Sequence, residues 1–131
     1  MNSSAAEPSP PPPPPDLLVL HGLRFFGHHG VSAAERRAGG EFTVDLDVEA
    51  DLGRAQVSDE VADTVNYVDL YEAVRGVVEE GEFHLLEAMA SQIAAVVLSL
   101  PKVERVHLRV TKPPRLPAQA IGFAVEIVRP H

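Results

Sequence analysis

Glu41-Phe42-Thr43-Val44-Asp45-Leu46-Asp47-Val48-Glu49-Ala50 is the stretch from which the fold of this chain is read. Phe42, Val44, Leu46 and Val48 alternate with Thr43, Asp45, Asp47 and Glu49. Successive side chains of a strand point to opposite faces, so this pattern predicts a strand with one apolar and one polar face. Upstream, Leu17 to Phe26 is rich in Leu, Val and Phe and reads as a first strand. The connection from Gly27 to Gly40 is too long for a tight hairpin and reads as a long loop. Downstream, Leu70, Val74, Val77 and Val78 recur at helical spacing, and Gly81 ends that pattern. Leu86, Met89, Ala90, Ile93, Val97 and Leu100 mark a second amphipathic helix, closed by Pro101. Val106, Leu108 and Val110 alternate with Arg105, His107 and Arg109 in a third strand, Val103 to Val110. Ile121, Phe123, Val125 and Ile127 form one face of a fourth, Ile121 to Val128. The order β-β-α-α-β-β predicts an α+β domain: one four-stranded antiparallel sheet with both helices on its apolar face. On the polar face, the acids of the second strand and the cations of the third would pair across strands or across subunits.

The chain of 131 residues suits one domain and carries a formal net charge of −8, which argues against nucleic acid or an anionic membrane as a partner. No apolar run approaches the roughly 20 residues needed to span a bilayer. Cysteine is absent, which excludes disulfides and thiolate metal sites. The N-terminus lacks the basic and apolar regions of a secretory signal, so a cytoplasmic location is expected. Met1 to Pro15, with its prolines Pro10 to Pro15, reads as a disordered tail of polyproline character, a candidate ligand for a proline-binding module. The folded domain is expected over residues 16–131.

Four segments carry candidate chemistry. Lys112 ends the third strand, and Pro113 and Pro114 stiffen the backbone behind it. That places an ammonium at the rim of the sheet, where a lysine is ordinarily a solvated charge but is also well set for catalysis. In Gly27-His28-His29-Gly30-Val31 two adjacent histidines suggest a metal, but neighbouring side chains of an extended segment point apart. No metal site is expected. Glu35 follows in the same glycine-bounded loop. In Asp63-Thr64-Val65-Asn66-Tyr67, Asp63, Thr64 and Asn66 are all possible helix caps. Tyr67 could pack into the core or offer its ring and phenol to a ligand. Glu87, after Leu85-Leu86, suits the positive end of a helix, and its core neighbours suggest partial burial.

Together these segments resemble the dihydroneopterin aldolase family. The resemblance rests on His29-Gly30-Val31, Glu35, Gly40, the strand from Phe42 to Asp47, Ser58-Asp59, Asn66-Tyr67, Leu85-Leu86-Glu87 and Lys112-Pro113. It runs from about Leu17 to Arg129. It implies the tunnelling fold, in which β-β-α-α-β-β subunits form a ring with sheets inside and helices outside. It also implies a homotetramer or homo-octamer with active sites between subunits. The implied substrate is 7,8-dihydroneopterin, cleaved in folate biosynthesis to 6-hydroxymethyl-7,8-dihydropterin and glycolaldehyde. By the same resemblance, Glu87, with the backbone around Leu86, grips the 2-amino and N3–H edge of the pterin. Glu35 reaches the side-chain hydroxyls, Tyr67 comes from an adjacent subunit to stack and transfer protons, and Lys112 is the general acid/base. No cofactor is implied, because the ring's N5=C6 imine accepts the electrons. The chain departs from the family in Pro114-Arg115-Leu116-Pro117, where many members carry Ala-Pro.

Two alternatives share these residues. A dihydroneopterin triphosphate 2′-epimerase would make and break the same bond, and Arg115 would suit its phosphates. A non-catalytic pterin- or purine-binding ring protein would keep Glu87 and need neither Tyr67 nor Lys112.

Overall fold

The computed structural model describes residues 7–113 and 122–131. Pro114-Arg115-Leu116-Pro117, the first residue of the expected fourth strand, Ile121, and the start of the proline-rich tail lie outside the described residues. Four strands run as β1 (Leu17–Gly27), β2 (Gly40–Ala50), β3 (Val103–Lys112) and β4 (Phe123–Arg129). They form one antiparallel sheet in the order β1-β2-β3-β4. The helices are α1 (Ala33–Ala38), α2 (Gly53–Ser58), α3 (Tyr67–Glu80) and α4 (Leu86–Leu98), with a short 3-10 turn at Val61–Asp63. The two long helices and the strand order match the sequence reading. The short α1 and α2 lie in connections that carry no apolar periodicity, and neither buries a residue. Hydrophobic patterning could not reveal them.

The core is the interface between one sheet face and α3 and α4. Phe42, Val44, Leu46 and Val48 of β2 are fully buried, as are Val106, Leu108 and Val110 of β3. They meet Leu70 and Val74 of α3 and Met89, Ile93 and Val97 of α4. Burying one such side chain contributes about 1.5–3 kcal/mol, so sliding β2 by one residue would replace that gain with buried Asp45 and Asp47. The alternation therefore fixes register. Val125 and Ile127 of β4 pack against this core, whereas Phe123, at the strand's start, is exposed.

Charge pairing on the polar face follows the register only in part. Glu49 opposes Arg105 and lies 3.6 Å from it. Arg109 opposes Asp45 but turns to Glu126 on β4, donating from Nε to Oε1 at 2.6 Å. Asp45 is engaged elsewhere: a bulge in β1 at His21 and Gly22 lets the Gly22 N–H donate to its carboxylate at 2.7 Å. Asp47 pairs with His21 at 2.9 Å. Among the described residues no helix is long and apolar enough to cross a membrane.

Candidate active site

Antiparallel pairing brings the first pieces of the site together. β3 runs back along β2, so the end of β3 lies beside the start of β2, directly after α1. Thr111 opposes Thr43, and Lys112 follows it. Across this junction Lys112 Nζ lies 3.0 Å from Glu35 Oε2, with the two side chains only 27% and 22% exposed. A partly shielded pair of this kind feels a lower dielectric than a surface ion pair.

Glu35 is fixed from its own side. Ser32 caps α1 by accepting the Glu35 N–H at 3.1 Å, and Glu35 Oε1 accepts the Ser32 N–H at 3.4 Å. One carboxylate oxygen thus closes a capping box while the other faces the ammonium. Gly30 makes this possible: a β-carbon there would stand 2.5 Å from the Glu35 Cβ. The glycine of His29-Gly30-Val31 is required for close approach of the helix that carries Glu35.

His28 and His29 do point apart. His28 is exposed, and its Nδ1 hydrogen-bonds the Arg36 carbonyl at 2.9 Å. His29 is 2% exposed. Its Nε2 donates to the Val78 carbonyl at 2.7 Å, and its Nδ1 accepts the Phe83 N–H at 3.0 Å. A carbonyl only accepts and a backbone N–H only donates, so the ring is the neutral Nε2–H tautomer. Burial holds its pKa below the ordinary histidine value, partly offset by the Val78 carbonyl. Among the described residues no group of three or more His, Asp or Glu is placed to hold a metal ion.

The α3–α4 connection brings up the next pieces. Gly30 N–H donates to the Phe83 carbonyl at 3.0 Å, tying the β1–α1 loop to the residues just ahead of α4. Leu85 caps α4 through its backbone, and Leu86 is buried at the helix start. Glu87 is exposed, contrary to the partial burial expected from its neighbours. One residue advances the helix by about 100°, so Glu87 rotates off the Leu86–Met89–Ala90–Ile93 stripe. The Gly30–Phe83 bond thus links the segment that leads into Glu35 with the segment that leads into Leu86 and Glu87.

Tyr67 lies elsewhere. Asn66, of the three candidate caps, caps α3 by accepting the Val68 N–H at 2.9 Å. Tyr67 is the first helical residue and is 67% exposed, so it does not pack into the core. Val78, which bonds His29, is in the last turn of the same helix. At 1.5 Å per residue, roughly 16 Å of helix axis separates Tyr67 from that end. Within one chain the structure does not bring Tyr67 to Lys112.

Two roles were not legible in the sequence, that of Arg36 and that of His29, which the sequence offered as a metal candidate and as part of the His29-Gly30-Val31 motif. Arg36 Nη1 donates to the Gly30 and Val31 carbonyls at 3.0 and 2.9 Å, and its Nε lies 3.2 Å from Glu82. Nothing in the sequence separates Arg36 from a surface arginine. His29 left a faint signal, the run of glycines around it. A β-carbon on Gly27 would stand 2.5 Å from His29 Nε2 and 2.6 Å from the Val78 oxygen, so that glycine keeps the bond's path open.

The dihydroneopterin aldolase family model matches residues 18–128. The chain belongs to the dihydroneopterin aldolase family. It is similar to the dihydroneopterin aldolase of Staphylococcus epidermidis, at 41% identity over 116 residues covering 87% of this chain and 96% of the relative. The Bacillus subtilis dihydroneopterin aldolase is 36% identical over 116 residues, covering 87% of this chain and 97% of the relative. Among solved structures, the E. coli dihydroneopterin aldolase in complex with neopterin superimposes with a TM-score of 0.82 at 29% identity, covering 88% of this chain and 99% of that one. The β-β-α-α-β-β subunit is that of the tunnelling fold, and the activity is the family's aldehyde-lyase reaction in folate biosynthesis.

Proposed function

We propose that 7,8-dihydroneopterin is cleaved in a site built by Glu35, Lys112, Leu86 and Glu87 of one subunit and Tyr67 of its neighbour. The observation that carries this reading is the shielded Lys112–Glu35 contact of 3.0 Å, made by residues that meet only through the fold. The exposed Glu87 carboxylate matches the two-donor edge of a pterin, its 2-amino group and N3–H, as it would match a guanidinium. The main chain around Leu86 helps to seat that edge. In this reading the Lys112–Glu35 pair takes the trihydroxypropyl side chain. Glu35 orients its hydroxyls, and Lys112 handles protons through a water at N5.

The chemistry is a retro-aldol step. The 2′-hydroxyl loses its proton, the C1′–C2′ bond breaks, and its electron pair moves into the N5=C6 imine, with a proton delivered at N5. Glycolaldehyde leaves. C1′ then takes a proton as N5 gives one back, yielding 6-hydroxymethyl-7,8-dihydropterin. The substrate supplies its own electron sink, so the lysine works as an acid/base rather than as a Schiff base. Reversal after the aldehyde turns over would epimerise C2′ in the same site.

The separation of Tyr67 from Lys112 along α3 supports a shared site. The phenol would be supplied by a second copy, in a homotetramer or homo-octamer whose sheets line a ring. The reading is tested by incubating the purified protein with 7,8-dihydroneopterin and separating products by chromatography, for wild type, Lys112→Ala and Glu87→Ala. The expected result is both products from wild type, pterin binding without most turnover in Lys112→Ala, and loss of binding first in Glu87→Ala. Equal loss of affinity in the two variants would overturn this division of roles.

A further inference from the structure

We propose that His29, backed by Arg36, is a positioning strap that holds the Lys112–Glu35 pair in register with the Leu86–Glu87 helix entrance. The inference rests on the site assignment above and adds residues that touch no substrate. His29 bonds the segment that precedes one half of that site to the segment that carries the other. Its ring spans from the Val78 carbonyl to the Phe83 N–H, and the next residue, Gly30, donates to the Phe83 carbonyl. Both main-chain polar groups of Phe83 are thus taken by His29 and Gly30. Gly30 in turn abuts the Glu35 side chain, and Phe83 precedes Leu85-Leu86-Glu87 in sequence.

Two further features make this strap stiff. The ring packs edge-on against Phe42 of the central strand β2, with centroids 5.0 Å apart at 78°, and also contacts the Phe83 ring. It is thereby anchored to the core rather than to a mobile surface. Arg36 runs a parallel tie, from the Gly30 and Val31 carbonyls to Glu82, one residue before Phe83. Neither Glu35 nor Glu87 lies in the core, and these links tie the segments that carry them to each other. Misplacement of a reacting group by about 1 Å can cost on the order of 10²-fold in rate. A strap at this point therefore bears on turnover as well as on folding.

The two ring nitrogens allow the roles to be separated. Asn reproduces an acceptor near Nδ1 and keeps the Phe83 bond, whereas Gln reproduces a donor near Nε2 and keeps the Val78 bond. The experiment measures kcat with 7,8-dihydroneopterin, the Kd of guanine as a probe of the Leu86–Glu87 edge, and Tm. It covers wild type, His29→Gln, His29→Asn, Arg36→Ala and Lys112→Ala. We expect His29→Gln to lose about tenfold or more in kcat with guanine Kd within about threefold of wild type. His29→Asn should recover most of kcat although its Tm falls similarly. Activity that simply tracks Tm in both His29 variants, or guanine affinity that falls as far as kcat, would overturn the strap. Should both His29 variants fail to fold, Arg36→Ala decides: lowered kcat with intact guanine binding upholds the strap, and unchanged kcat overturns it. Wild-type turnover in Lys112→Ala would instead refute the underlying site assignment, a result distinguishable from failure of the strap.

Discussion

Replacing Gly30 by Ala tests the site through one methyl group. The added carbon would stand 2.5 Å from Glu35 Cβ and 3.1 Å from its Cδ. Non-bonded carbons rest at roughly 3.5–4.0 Å, so Glu35 and the start of α1 must retreat by about 1 Å. A retreat of that size lengthens the Lys112–Glu35 contact, now 3.0 Å, by up to about 1 Å, which takes it beyond a direct hydrogen bond. A displacement of that size is expected to cost on the order of 10²-fold in kcat, or ~2.7 kcal/mol of transition-state stabilisation. The φ of +157° at Gly30 adds backbone strain to the contact, but α1 buries no residue and the helix-sheet core is untouched, so the cost should be confined to the loop and α1. The assay is steady-state turnover of 7,8-dihydroneopterin by Gly30→Ala, Glu35→Ala and the double variant, each with a thermal melt. If the methyl acts through Glu35, the double variant is no slower than Glu35→Ala alone. A Gly30→Ala enzyme within about threefold of wild type would refute the claim that this contact sets the rate. So would additive losses in the double variant, which would place the effect of the methyl elsewhere.

Three other outcomes are expected. Mixing Tyr67→Phe and Lys112→Ala subunits under conditions that exchange them should restore part of the activity lost in each, since some interfaces regain both groups; no recovery in demonstrably mixed assemblies would argue for a site within one subunit. His29, whose pKa burial lowers from 6.5 while His28 lowers it further and Glu82 opposes, contributes stability that is complete above about pH 6.5 and is lost as pH falls toward its native-state pKa, because the unfolded chain binds the proton first. Denaturant midpoints at pH 7.5 and 5.5 should therefore fall further on acidification for wild type than for His29→Asn, and equal slopes would show that His29 is not the group responsible. Removing residues 1–15 should leave kcat unchanged, since residues 7–16 are exposed and outside every helix and strand; a large drop in turnover would give the tail a catalytic part.

Much of this protein was determined by sequence alone. The alternation of Phe42, Val44, Leu46 and Val48 with acids commits β2 to one register, because any slip buries carboxylates. The stripes Leu70–Val78 and Leu86–Val97 commit two helices to the same apolar face for a like reason, and Gly81 ends the first, whereas the choice of Asn66 over Asp63 and Thr64 as its cap was made by the structure. Glu35, Tyr67, Glu87 and Lys112 were singled out by residue type and position. What each of them touches was not legible. The Lys112–Glu35 contact arises from antiparallel registry, which brings the end of β3 to the start of β2. The exposure of Glu87 follows from helix phase, and the remoteness of Tyr67 from helix length. The short α1 and α2 bury nothing and so leave no hydrophobic period. His29 shows the division most clearly. Sequence offered two adjacent histidines and a metal that their geometry disfavours. Only the tertiary structure supplied a carbonyl from α3 and an amide from Phe83, distant in sequence, which fix the buried ring in a single neutral tautomer. Local patterning reports which face of an element avoids water. The partner of a polar atom is set by chain segments that meet only once the core has formed.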